Sequence, residues 1–328
     1  MNHKYTVCRD VIFALATLFI FAFTIKAYSQ DLKLGKKYFD EKKFDEAFAE
    51  YSKFKKNSSE YAESQYYLGL ISMRKKDYEK SEVFLKQAIS VNGNIADYHL
   101  ALGSLYGQMA AEANVLRQAL LAPKIRDSFE KAAKLDPKSL NPRWMLIAYH
   151  IRAPKIMGGD LAKGKIIADE IMKINQAEGN RAWGMIYQAE EENDLAEKSY
   201  RSALNQSPDS IVYHFALARF FESVSKSDLA LDTYQKIVNK FPENRNALLN
   251  FGRVTANLSK NVDEGEKSLQ KFIKLTANKD DKSLANAYYY LGMIEKNKGN
   301  KANAKKYFEL ALKINPEHKQ TKEIIKTL

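Results

Sequence analysis

The sequence predicts an all-α chain: an α-α superhelix of about eight helix pairs, closed by a C-terminal capping helix. Three observations carry this. The stretch Leu284 to His318 reads as two amphipathic helices joined by a tight turn. Small residues recur at a 34-residue spacing, as Leu34-Gly35, Leu68-Gly69 and Leu102-Gly103, and again as Gly184, Ala218 and Gly252. The composition is 45% hydrophobic and 28% charged with only 7 Pro and 14 Gly, which suits helices rather than long disordered linkers.

The C-terminal unit shows how one pair is written. Tyr288, Leu291, Gly292 and Glu295 lie three or four residues apart and share a helix face. Gly299 stops that helix and Asn300 starts the next. Ala304, Tyr307, Phe308, Ala311 and Leu312 form the second apolar stripe. Pro316 ends the unit, because proline cannot continue a helix interior. The same second-helix signature appears as Ala196, Tyr200, Ala203 and Pro208, then 34 residues later as Ala230, Tyr234, Ile237 and Pro242. The Gly or Ala on each helix lets two backbones approach, and the aromatic fills the space toward the next pair. A single pair cannot bury its apolar face, so neighbours must stack.

A 34-residue helix-turn-helix period with small residues in fixed slots and a terminal proline resembles the tetratricopeptide repeat. The resemblance covers roughly residues 30 to 317. It implies a solenoid whose first helices line a concave side where extended peptides lie, and it implies no particular activity.

Met1 to Ser29 reads as an export signal. His3, Lys4 and Arg9 precede the apolar run Val11 to Ile25, and Ala27-Tyr28-Ser29 supplies small residues before a cut ahead of Gln30. The run is shorter than the roughly 20 residues of a spanning helix, and an uncleaved anchor is the alternative. Cleavage removes Cys8, the only cysteine, so no intrachain disulfide or Cys-based metal site is available. The solenoid then occupies 30–328. Regular repeats span 30–95, irregular ones 96–176 and regular ones 177–317, with a cap at 318–328. The first two repeats run over 30–61 and 62–95, the latter with Ser81 in the small slot.

The third repeat carries extra residues near Gln108 to Pro123, an Ala- and Leu-rich stretch that predicts lengthened helix with Pro123 near a helix start. In the fourth, Trp144 and Ile147 mark a first helix that Pro154 ends. Gly158-Gly159 permits a turn and Asp160 is placed to cap the next helix. A phosphate cradle is the other reading of the two glycines, but no GxxxxGK[ST] or GxGxxG surrounds them. The lengthened third repeat, Asp136-Pro137, Trp144 and this loop together resemble a group of exported bacterial tetratricopeptide proteins of undefined function. The fifth and sixth repeats are regular. The seventh slips by one residue near Gly265, and Asn278 to Ser283 lengthen its exit. Gln320 to Leu328 predicts the cap, with Ile324, Ile325 and Leu328 as its apolar residues.

Catalytic chemistry is not written here. None of His3, His99, His150, His214 and His318 stands in HExxH or another ligand spacing. His99 and His214 occupy equivalent repeat slots, which points to packing. GxSxG is absent. Glu190-Glu191-Glu192 reads as a solvated turn, and the sequons at Asn57, Asn205 and Asn257 matter only in a eukaryotic secretory pathway. The chain carries +12 net charge, with its lysines scattered rather than in a long basic run. The expectation is therefore a scaffold exported to the periplasm or cell envelope, with no cofactor, no metal and no nucleic-acid partner. It binds a protein or peptide, and membrane association is not required. The alternatives are an envelope-tethered assembly factor whose basic surface meets anionic lipid or polymer, and an enzyme with an unrecognised site.

The inward slots of repeats five to eight hold Arg181, Phe215, Arg219, Leu249, Arg253 and Tyr289. Some tetratricopeptide domains grip chaperone carboxylate tails with Lys and Asn on first helices. These slots lack that set, so the resemblance does not imply that partner. Three arginines from adjacent repeats with aromatics between them predict that residues 177 to 300 bind an acidic, partly aromatic segment. The alternative is that the arginines pair with Glu178, Glu222 and neighbours on their own helices.

Overall fold

The computed structural model describes residues 32–276 and 282–328, so the expected export signal and most of the lengthened seventh-repeat exit lie outside the described residues. The described residues are helical throughout, and no strand occurs among them. The chain divides into two compact units, at Ile167/Ala168.

In the first unit α1 covers 32–40 and α2 is Phe44–Tyr51. The helices α3 (Tyr61–Arg74) and α4 (Tyr78–Val91) pack as a pair, as do α5 (Ala96–Ala111) and α6 (Val115–Leu135). They are followed by α7 (Asn141–Arg152), and the division between the units falls within α8 (Leu161–Ile174). The second unit repeats the pattern with α9 (Gln176–Ala189) on α10 (Asn193–Gln206) and α11 (Ile211–Ser223) on α12 (Ser227–Lys240). Next come α13 (Arg245–Leu258) on α14 (Val262–Thr276) and α15 (Ser283–Asn297) on α16 (Lys301–Ile314). The cap is α17 (Lys319–Ile324), capped by the His318 side chain, with Thr321 rather than its isoleucines as the buried residue. The expected all-α chain of consecutive helix pairs is what the structure shows.

The small slots work by close approach. A Cβ on Gly103 would stand 2.6 Å from the Phe129 ring, and one on Gly292 would stand 2.5 Å from Phe308. Gly265, in the slipped seventh repeat, occupies the same kind of slot, since a Cβ there would meet Thr255 at 2.3 Å. The slip is absorbed in the turn before it, where both Ser259 and Asn261 take positive φ. Each regular turn between the two helices of a pair contains one such residue. Lys42, Lys76, Glu191 and Ser225 sit at φ 57 to 63°, and Gly299 takes the equivalent turn position at φ 79° without a Cβ. Glu295 is buried at 7% exposure because Asn300 and Asn303 both donate to it.

Pro123 departs from expectation. It lies inside α6, not near a helix start. The start is set upstream by Asn114, whose side chain accepts from the Arg117 amide at 3.0 Å. The insertion therefore lengthens α6 to 21 residues, against 14 in most second helices. In the fourth repeat Ala153 ends α7 in extended geometry, Gly158 takes φ +89°, and Asp160 accepts from the Ala162 amide at 2.9 Å. The amides of Gly158 and Gly159 donate to Lys155 and Pro154 carbonyls of the same loop. Those donors are already used, so the loop is a turn rather than a phosphate cradle.

Candidate functional site

The inward residues of the second unit sit on its first helices, and the structure separates them by what they touch. Arg181, on α9, is held by Glu178 one turn earlier at 2.6 Å, and both are more than three-quarters buried. The other carboxylate oxygen of Glu178 accepts from Tyr213 of α11 at 3.0 Å. Burial and the Glu178 charge push the Tyr213 phenol up to about 12. This pairing is the one on a single helix that spacing anticipates.

Arg253, on α13, reaches across repeats instead. Its guanidinium donates to both oxygens of Glu222 on α11, at 2.7 and 2.8 Å, and more weakly to Asn250. Tyr234 of α12 donates to Glu222 as well, at 2.5 Å. Burial works against the Arg253 charge, but the Glu222 bond and charge outweigh it and hold the guanidinium protonated. The phenol of Tyr234 is raised by burial first and then by Glu222. Tyr234, Glu222 and Arg253 thus form a closed polar knot that links two repeats.

Arg219 occupies the slot 34 residues before Arg253, yet it has a different fate. The position corresponding to Glu222 is Gln188, a neutral amide. Gln188 accepts from Tyr200 at 3.0 Å and donates to Ser223 at 2.9 Å, so it repeats the tyrosine contact of the knot without its charge. Among the described residues no carboxylate pairs with Arg219. Its guanidinium is exposed and lies 5.5 Å from the centre of the half-buried Phe215 ring. Phe215 in turn meets Tyr234 edge-on at 6.2 Å.

Leu249 packs half-buried against the α13–α15 core and presents no polar group. Tyr289 is placed elsewhere: its ring contacts Tyr290, Phe308 and His318, so it braces the cap. The six predicted residues therefore do not act alike. Phe215 and Arg219 come together, while Arg181 and Arg253 are spent on carboxylates. Glu222 was anticipated as a partner on its own helix, but it is held by Arg253 and Tyr234 across repeats instead of by Arg219, and Tyr213 and this cross-repeat link were missed by sequence reading. The available signal was a charge and its partner about one repeat apart, the separation that also joins Lys260 to Asp228 and Lys298 to Glu266.

His99, His214 and His318 hold structure. His99 and His214 each hydrogen-bond the carbonyl six residues earlier, at Gly93 and Pro208, which explains their equivalent slots. Among the described residues no group of acidic, His or Cys side chains could hold a metal, and no helix is long and apolar enough to cross a membrane.

A tetratricopeptide repeat family model matches residues 62–95 and 285–318. Among solved structures, a tetratricopeptide repeat protein from Parabacteroides merdae ATCC 43184 aligns over 92% of this chain and 98% of its own, at 12% identity and TM-score 0.51. YrrB, described as a tetratricopeptide protein with an unusual peptide-binding site, aligns over 62% of this chain and all of its own, at 20% identity and TM-score 0.44. A thermophilic tetratricopeptide protein from Thermus thermophilus aligns over 69% of this chain and 97% of its own, at 16% identity and TM-score 0.41. No curated protein matches the sequence.

Proposed function

We propose, from the premise that this is a tetratricopeptide repeat protein, that it is an exported, non-catalytic scaffold. Its second unit binds an acidic, partly aromatic segment of a partner protein. Tetratricopeptide proteins generally bind protein or peptide partners and generally do not catalyse reactions. The single observation that carries the finer reading is Arg219. The knot that neutralises Arg253 lacks its carboxylate one repeat earlier, because Gln188 stands where Glu222 does. Arg219 is left exposed beside an aromatic face, with a planar set of donors that fits a carboxylate. An acidic side chain supplies the missing counterion, and a neighbouring aromatic packs on Phe215. The export reading rests on Lys4, Arg9, the apolar run to Ile25 and Ala27-x-Ser29, and mass spectrometry of the exported protein for a chain starting at Gln30 tests it.

The binding test uses fluorescence anisotropy with Asp- and Phe-containing peptides. Arg219→Ala is expected to weaken binding about tenfold, the cost of one charge-assisted hydrogen bond, and to flatten its salt dependence. Phe215→Ala should weaken the aromatic peptides more than purely acidic ones. Unchanged affinity and salt dependence in Arg219→Ala would overturn the proposal.

A further inference from the structure

The irregular third and fourth repeats build a feature that the regular ones do not. A cleft of about 500 Å³ lies between α5, α6, α7 and the loop after α7, within the range of small-molecule sites. Ala122 and Ile125 come from the lengthened α6, Met145 from α7, and Met157 from the loop. The floor is kept open by Gly107 of α5, where an added Cβ would meet nothing within 4 Å. That sets Gly107 apart from the packing glycines Gly103 and Gly292, which have ring atoms within 3 Å.

The cleft's polar groups are unequal. Ser104 donates to its own helix at Leu100, and Gln118 donates to the Ala113 carbonyl. Tyr149 is taken by the Met157 carbonyl. Arg152 is the one charged residue in the lining; it is exposed and pairs with no carboxylate among the described residues. An apolar chamber with a single uncompensated guanidinium complements an apolar body carrying one anionic head.

We propose that this cleft binds a small amphipathic anion, an aliphatic monocarboxylate, with its chain against Ala122, Ile125 and Met145 and its carboxylate on Arg152. The insertion and the loop after α7 then share a role as two walls of one site. This site uses none of the residues of the second unit's peptide site, so the two proposals fail independently.

The test is titration of the mature chain with decanoate and, separately, with 1-decanol, read by calorimetry. Wild type should bind decanoate saturably and about tenfold more tightly than the alcohol, the difference one charged hydrogen bond makes. Gly107→Phe fills the chamber from a position with free space and should abolish both, with an unchanged circular dichroism spectrum. Arg152→Gln, at an exposed position, should bring decanoate down to the alcohol's affinity. The absence of saturable decanoate binding to wild type would overturn the proposal. So would wild-type binding by a folded Gly107→Phe, or a retained preference for decanoate in Arg152→Gln.

Discussion

Gly252→Ala adds one methyl group at one of the two tightest repeat slots described above. Its Cβ would stand 2.3 Å from Leu269 Cγ, 2.5 Å from Cδ2 and 2.9 Å from Cδ1. Leu269 is fully buried in a cluster with Leu248, Phe272 and Leu291, so the side chain has nowhere to swing. Two terms oppose each other. Alanine is the better helix former by about 1 kcal/mol, which favours the variant. Overpacking a tight core costs about 1–3 kcal/mol, and three leucine atoms inside 3 Å place this site at the upper end. The net expectation is a loss of about 1–2 kcal/mol, and Gly252→Leu should lose more. Gly107→Ala is the control, because the same methyl enters open space there and keeps only the helix gain, about 0.5–1 kcal/mol. The assay is urea denaturation followed by circular dichroism, comparing midpoints, since a repeat chain need not unfold in one step. A Gly252→Ala midpoint at or above wild type would refute the packing argument. In a Leu269→Ala background, itself less stable, the additional Gly252→Ala loss should shrink toward zero, because contacting residues couple.

Four further outcomes follow from the same structure. Ser225→Gly relieves a left-handed turn residue at φ 57° and should raise stability by up to about 1 kcal/mol, while Lys305→Ala on an exposed face should change it by no more than about 0.5 kcal/mol. Glu222→Gln keeps the shape of the polar knot but removes its charge, and should cost about 1–2 kcal/mol in the same assay by leaving Arg253 without a counterion. His150 and His318 are both held below the ordinary 6.5, chiefly by burial, so the folded chain keeps them neutral. The unfolded chain binds those protons more readily, so their contribution is present above about pH 6.5 and is lost as pH falls below it. Thermal melts from neutral pH down to about pH 5 should show that decline, and it should be shallower in His318→Asn, which retains a capping side chain.

The helix pairs were legible because each slot repeats. Gly35, Gly69 and Gly103 report the same backbone approach three times, and Gly265 could be placed despite its slip because Ala196 and Ala230 define its slot. Pro123 was misread because proline is a strong local signal, whereas the helix start was set well upstream by Asn114. The site was legible in part. Spacing rules for one helix found the Arg181–Glu178 pair but had no means of finding Arg253–Glu222, which depends on how two repeats stack. The difference between Arg219 and Arg253 lay in the sequence as Gln188 against Glu222, but it carries meaning only once the structure shows which residue each arginine reaches. The cleft beside α6 had no pattern to reveal it, since Met145, Met157 and Arg152 belong to elements that share no repeat register with Gly107.

Hydrogen exchange of the second unit's helices, read by mass spectrometry on the mature chain with and without an acidic, Phe-containing peptide, addresses the binding claim where it is made. The expected result is slowed exchange in α11 and in the facing part of α13, absent when Arg219→Ala is used in place of wild type. Protection that persists in Arg219→Ala, or that falls on α5 to α7 instead, would contradict it.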